Sequence, residues 1–199
     1  MVAALGLEAR AVRRRVHGVR VLTGGIALGE LRGRVTTPVA LSVGLAGGLD
    51  RALEPGTVVV PEVVTGPRGE RWATDAAWSA ALRAASERLS LPTTGGALVT
   101  TAAVVTGDDR ERWATRGYAA ADMESAVIAQ LAPAIAVVRV ILDTPSHEIS
   151  PLWLTPARAA LRPRLWSQGL WLARTAPRLA RRAADVLAEA LRGDVDAEV

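Results

Sequence analysis

The stretch Ile135–Asp143, IAVVRVILD, is the run on which the fold turns. Its first eight residues are apolar apart from Arg139, are rich in β-branched side chains, and show no alternation between polar and apolar positions. That pattern predicts a strand buried on both faces over 135–142, as in a parallel sheet covered by helices. Arg139 is the odd residue in the run, and a buried arginine requires a carboxylate. Glu8, Glu124 and Asp143 stand where such strands end and are the available partners.

Outward from this run the same grammar repeats. VAALGL (2–7) reads as a strand that turns into a helix starting at EARAVRRRV, and VALSVGL (39–45) reads as a buried strand running into glycines. TVVVPEVV (57–64) is a strand launched from a Pro55-Gly56 turn, DAAWSAALRAASERL (75–89) a helix, GALVTTAAVV (96–105) a strand, and DMESAVIAQLA (122–132) a helix stopped by Pro133. Strands alternating with helices argue for an α/β fold with parallel strands. In such sheets ligands bind beyond the carboxyl ends of the strands, where Glu8, GLAGG (44–48) and Asp143 all fall.

The chain has 199 residues, half of them hydrophobic, which is enough for one domain with a sizeable core. Residues 1–150 read as the α/β core. Residues 151–199 read as a basic, tryptophan-bearing helical extension packed on the same domain, with seven arginines and no acid between Pro151 and Arg182. All 24 basic residues of the chain are arginine, but 20 acids leave a net charge of +4, so nucleic acid is not an expected partner. Cysteine is absent and histidine occurs only at positions 17 and 147, which excludes a disulfide framework, a thiolate nucleophile and a zinc shell, so no metal is expected. The apolar start MVAALGL is too short for a signal peptide and no run approaches 18 apolar residues, so the expected location is cytoplasmic.

Three features carry chemistry. Glycines in GLAGG allow a ligand to approach the backbone, whose amides can hold a ribose, a base edge or a phosphate; a tight turn explains them equally. Glu124 falls at the start of a helix whose apolar stripe includes Met123, Ile128 and Leu131, so its carboxylate either faces water or lines a cleft, where it could accept two hydrogen bonds from a ribose diol. Asp143 follows an apolar run, and dry surroundings raise a carboxyl's pKa as a general acid requires; a strand-ending aspartate that caps the next turn is the alternative.

Taken in order, SVGLAGGLD, EPGTVVVP, ADMESAVIA and VVRVILD resemble the purine nucleoside phosphorylase and methylthioadenosine/adenosylhomocysteine nucleosidase superfamily over roughly residues 2–145. LGLEARAVRR, Gly24-Gly25, TDAAWSAALRAA and the tryptophan- and arginine-rich C-terminal segment look like the hopanoid-associated phosphorylase branch of that superfamily, which acts on adenosylhopane. The resemblance implies a three-layer α/β/α domain around a mixed, mostly parallel sheet, with adenine released from an adenosyl-type nucleoside. It implies that Glu8 activates the attacking water, that Glu124 binds the ribose hydroxyls and that Asp143 gives a proton to N7 of the leaving purine. Met123 would lie against the ribose, Gly47 and Ala46 in the glycine loop and Val105 would line the base or sugar, Arg139 would orient Glu8, and Gly24 and Gly25 would support the site.

No cofactor is implied beyond inorganic phosphate as a possible co-substrate, and phosphorolysis and hydrolysis both stay open. Leu45 stands where relatives often carry Ser or Thr near the anion, and Leu142 where they often carry Ser. Other readings are a soluble methylthioadenosine, adenosylhomocysteine or futalosine nucleosidase, and an inactive nucleoside- or lipid-binding protein. The expected partners are a small nucleoside, lipid-linked in the hopanoid reading, further copies of the chain in a homo-oligomer, and a membrane surface met by the C-terminal segment.

Overall fold

The computed structural model describes residues 2–3, 6–16, 21–23 and 38–195. In chain order the elements are β1 (Val2–Ala3), α1 (Gly6–Arg15), β2 (Leu22–Thr23), β3 (Val39–Gly48), β4 (Val58–Val59), β5 (Val63–Thr65), β6 (Arg71–Ala73) and α2 (Ala76–Arg88). They continue with β7 (Thr93–Thr94), β8 (Ala97–Thr100), α3 (Asp108–Ala114), β9 (Tyr118–Asp122), α4 (Ser125–Ala129), β10 (Ala134–Asp143), α5 (Pro156–Ala160) and α6 (Trp166–Val195), with 3-10 turns at Pro151–Leu154 and Pro163–Leu165.

One mixed sheet runs β6-β5-β8-β9-β3-β10-β4-β7, with β1 paired to β2 and to β3. Its axis is the ten-residue parallel pair β3 and β10, which are buried along nearly their whole length. Alternate residues of this pair feed two cores. Leu41, Val43, Ala136, Val138 and Val140 pack with α1, α2 and the C-terminal half of α6, where Leu179, Ala183, Leu187 and Ala190 are buried. Ala40, Ala46, Ile135, Val137 and Ile141 face the other way, toward Ile128 of α4 and Leu98 of β8. The result is a sheet between helical layers, the three-layer arrangement that two-faced strands require.

Several expected elements are shorter than the sequence pattern predicts. The strand over 57–64 is divided at Pro61 into β4 and β5, since proline has no amide for the ladder. The strand over 96–105 ends at Thr100, so Val104 and Val105 lie in the following loop. The helix over 122–132 is a correction of a different kind. Residues 118–122 form β9, and only Ser125–Ala129 are helical. Asp122 ends the strand by accepting hydrogen bonds from the amides of Glu124 and Ser125, and Thr100 Oγ1 accepts from Ala126 N. At the N-terminus the helix begins at Gly6, two residues before the expected start at Glu8, so Glu8 sits in the first turn of α1.

Candidate active site

The last residues of β10 carry a local irregularity. Ile141 is opposite Ala46, but Asp143 is opposite Gly47, so the register slips by one residue at Leu142. A β-bulge re-aims the side chains beyond it, and here it brings the Asp143 carboxylate beside a residue without a Cβ. A Cβ on Gly47 would come 3.1 Å from Asp143 Oδ1 and 3.4 Å from Arg110 Nη1. Gly44 has the same role earlier along β3, because a Cβ there would collide with both the Arg139 guanidinium and the Glu8 carboxylate. Gly44 and Gly47 are therefore spaces for charged side chains at the sheet.

Arg139 points from β10 to the α4 face and is fully buried. Its Nη2 lies 2.6 Å from Asp122 Oδ2 and 3.7 Å from Glu124 Oε2, and it donates to Ser42 Oγ at 2.8 Å and Ser125 Oγ at 3.0 Å. Burial alone would weaken its charge, but Asp122, Glu124 and Glu8 together outweigh that and strengthen it. Asp122 is thus a carboxylate partner of Arg139 that sequence reasoning missed, because DMES reads as the start of a helix. Arg139 Nε and Nη1 are buried without a hydrogen-bond acceptor.

Glu124 precedes α4 at its N-cap, with an extended φ of −131° and no capping bond from its own side chain, and it lines the cavity described below. Removal from water pushes its pKa up to about 7; Arg139 pulls it down, while Asp122 and Glu8 add to the rise. Glu8 is buried, and its Oε1 accepts a 2.7 Å hydrogen bond from Leu45 N. Leu45, which carries no hydroxyl, contributes to the site through that amide.

Asp143 is buried and forms an ion pair with Arg110 of α3. Its Oδ2 also accepts from Ile149 N at 3.3 Å. Burial raises its pKa, and the Arg110 guanidinium opposes the rise. Arg110 itself donates to Gly48 O at 2.6 Å, and its Nε stands 3.1 Å from Glu148 Oε1 in an ion pair without hydrogen-bond alignment.

These groups line one cavity of about 540 Å³. Glu8, Ala46, Gly47, Val105, Met123, Glu124 and Asp143, all anticipated from the sequence, line it, and Arg139 stands behind it as the partner of Asp122 and Glu124. Gly24, Gly25 and His17 lie outside the described residues. Arg110, Asp122, Ile149, Trp153 and Leu172 also line the cavity and were not anticipated. The signal for Arg110 was weak, since GDDRERW reads as a solvated charge run. The outer wall is held by Gln168, whose Oε1 accepts from Trp153 Nε1 and Ser150 N while its Nε2 donates to Glu148 O. Gly169 lets the Trp153 ring press against α6.

Sequence and structure comparisons agree on the class of this α/β domain. The sequence profile of the phosphorylase superfamily matches residues 25–149, and the chain belongs to that superfamily. No curated protein matches it in sequence. Among solved structures it is similar to the 5′-methylthioadenosine/S-adenosylhomocysteine nucleosidase of Neisseria meningitidis in complex with methylthio-immucillin-A, with 16% identity, TM-score 0.72, and 96% of this chain and 97% of that one covered. It is also similar to the Helicobacter pylori nucleosidase variant holding 5′-methylthioadenosine, with 13% identity, TM-score 0.73 and 96% of each chain covered. The Colwellia psychrerythraea nucleosidase in complex with adenine gives 17% identity and TM-score 0.71 over 96% of this chain and 93% of that one. These likenesses extend the shared fold beyond residue 149, through the C-terminal helical segment.

Proposed function

We propose that the protein hydrolyses the N-glycosidic bond of an adenosyl-type nucleoside and releases adenine. The observation that carries this is the convergence of Glu8, Glu124 and Asp143 on one cavity, each with different polar partners. Glu124, as a carboxylate, accepts the ribose 2′ and 3′ hydroxyls, with Met123 against the sugar. Glu8, held by the Leu45 amide, takes a proton from water as the water oxygen bonds to C1′. The C1′–N9 bond breaks, and Asp143 gives its proton to N7 so that the base leaves neutral. The ribosyl cation that develops at C1′ as the C1′–N9 bond breaks ahead of water bonding lies among carboxylates, which favour it electrostatically.

Water suits this site better than phosphate. Among the described residues the cavity is lined by the acidic side chains of Glu8, Asp122 and Glu124, by the proton donor Asp143, and by one guanidinium, Arg110, already engaged by Asp143. A dianion entering there would meet like charge on most sides.

The substituent at the ribose 5′ position is, in this reading, large and apolar, as in adenosylhopane. Leu142, Ile149, Trp153, Leu154, Pro156 and Leu172 make much of the wall. The same C-terminal segment leaves Leu161 80% and Trp166 61% exposed, with Arg158, Arg162 and Arg164 among them. That mixture favours contact with an anionic membrane surface from which a lipid-linked nucleoside is taken. No helix among the described residues is long and apolar enough to cross a membrane.

The test is adenine release from adenosylhopane in detergent micelles, with and without inorganic phosphate, beside 5′-methylthioadenosine without detergent. Release without phosphate from the lipid-linked substrate is the expected result. A strict phosphate requirement overturns hydrolysis, preference for methylthioadenosine overturns the apolar 5′ group, and release from neither substrate overturns the enzyme reading.

A further inference from the structure

Arg110 has no role in the bond-breaking scheme, yet each nitrogen of its guanidinium group lies against a polar partner at the site. It is 1% exposed, although it comes from α3, a seven-residue helix whose other residues are not buried. Burying a guanidinium costs several kcal/mol unless it is well paired. Its three nitrogens reach Asp143, the Gly48 carbonyl and Glu148, and Gly47 leaves the space that lets the Arg110–Asp143 pair lie against β3. The start of α3 is pinned to the same group, since Gly107 N donates to Glu148 Oε1 at 2.7 Å. Arg110 also stands between two cavities, because it lines the catalytic one and a second of about 470 Å³ behind it.

We infer that Arg110 is the positioning residue for Asp143: it anchors the carboxyl at the end of β10 and, through its charge, controls when that carboxyl carries a proton. The inference rests on the reading of Asp143 as the proton donor to the base. The charged groups facing Asp143 are Arg110 from α3 and Glu148 from the loop after β10, with the Ile149 amide as the remaining polar partner. Glu8, Asp122 and Glu124 line the same cavity, and His147 turns its ring onto Trp171 at 4.5 Å. Burial and Glu148 favour the protonated acid, while Arg110 and the Ile149 amide favour the carboxylate. Arg110 and Glu148 thus act on one proton with opposite signs, and Glu148 reaches Asp143 both directly and by competing for the guanidinium.

The experiment is the pH profile of kcat/KM for adenine release by the wild type, Arg110→Gln, Arg110→Lys, Glu148→Gln and Asp143→Asn. A reaction that needs protonated Asp143 loses rate on an alkaline limb as pH rises through that group's pKa. Arg110→Gln is expected to lower the rate by up to about 100-fold, the scale of a misplaced catalytic group, and to move the alkaline limb to higher pH. Arg110→Lys, which keeps the charge, returns the limb toward the wild-type position while some of the rate loss stays. Glu148→Gln moves the limb to lower pH. Because the Glu148 side chain is one-third exposed, this variant keeps the test decisive if Arg110→Gln does not fold. Alkaline limbs that stay in place in both Glu148→Gln and the folded Arg110 variants overturn the inference while leaving Asp143 as the acid, provided Asp143→Asn is inactive. Wild-type rates in Asp143→Asn overturn the proton-donor reading itself and the inference with it.

Discussion

The cavity is served by two buried arginines that come from opposite kinds of structure. Arg139 is a residue of the central strand, locked between Asp122, Glu124, Ser42 and Ser125, and its charge gathers two of the carboxylates that line the cavity. Arg110 comes from a short helix on the rim and reaches across to the Asp143 carboxylate at the base end of the proposed chemistry. The contrast separates two tasks. A guanidinium in a rigid strand makes a dense negative site stable enough to exist, whereas one on a peripheral helix, in the proposed chemistry, tunes a single acid that must gain and lose a proton.

The hardest way to break this contrast is to remove Arg139. Arg139→Met leaves Asp122 and Glu124 as uncompensated buried carboxylates, and the expected loss is about 3–5 kcal/mol of folding stability, the usual consequence of breaking a buried ion pair from one side. Urea denaturation at pH 8 checks it. A loss below about 1 kcal/mol, the scale of an exposed pair, would show that the cluster does not depend on the arginine.

Glu124→Gln sharpens the comparison by pH. The folded-state pKa of Glu124, about 7 against an ordinary 4.5, means that its proton favours the folded state. That stabilisation is fully present below about pH 4.5 and is lost as pH rises through about 7. Glu124→Gln cannot ionise, so its Tm exceeds that of the wild type by several degrees at pH 8 and by less at pH 5. In the proposed catalysis the sign reverses: the diol needs the carboxylate, so wild-type KM is expected to climb as pH falls below about 7, and KM of Glu124→Gln to be high and flat. Equal Tm differences at both pH values would remove the elevated pKa from the account.

The smallest expected effect lies in the outer wall. Gln168→Ala releases Trp153, Ser150 and the Glu148 carbonyl together. Three hydrogen bonds, each contributing about 1 kcal/mol net and partly replaced by water, predict a stability loss of about 1–2 kcal/mol. If the wall holds the apolar 5′ group, KM for a lipid-linked nucleoside rises more than KM for methylthioadenosine.

Legibility in the sequence followed the same division. The β3–β10 axis was readable because two-faced burial leaves an unbroken apolar run, and Arg139 stood out within it. Glu8, Glu124 and Asp143 were readable because strand and helix ends are few and chemistry collects there. Asp122 and Arg110 were not. Asp122 serves as a strand end, a cap for α4 and the partner of Arg139 at once, and such tertiary roles have no periodicity. Arg110 lies in a run of charges that resembles any solvated helix; its burial depends on Gly47 and on the bulge at Leu142, which are set by register between distant segments. The divided strand at Pro61 was legible in principle, since proline cannot pair within a central strand.

The central claim is that Asp143 delivers the proton on which base departure depends. Single-turnover adenine release, measured in phosphate-free buffer for the wild type and a folded Asp143→Asn, tests it most directly. The expected result is a loss of about 10²–10⁴-fold in the variant with nucleoside binding retained through Glu124. Release at the wild-type rate in Asp143→Asn would contradict it.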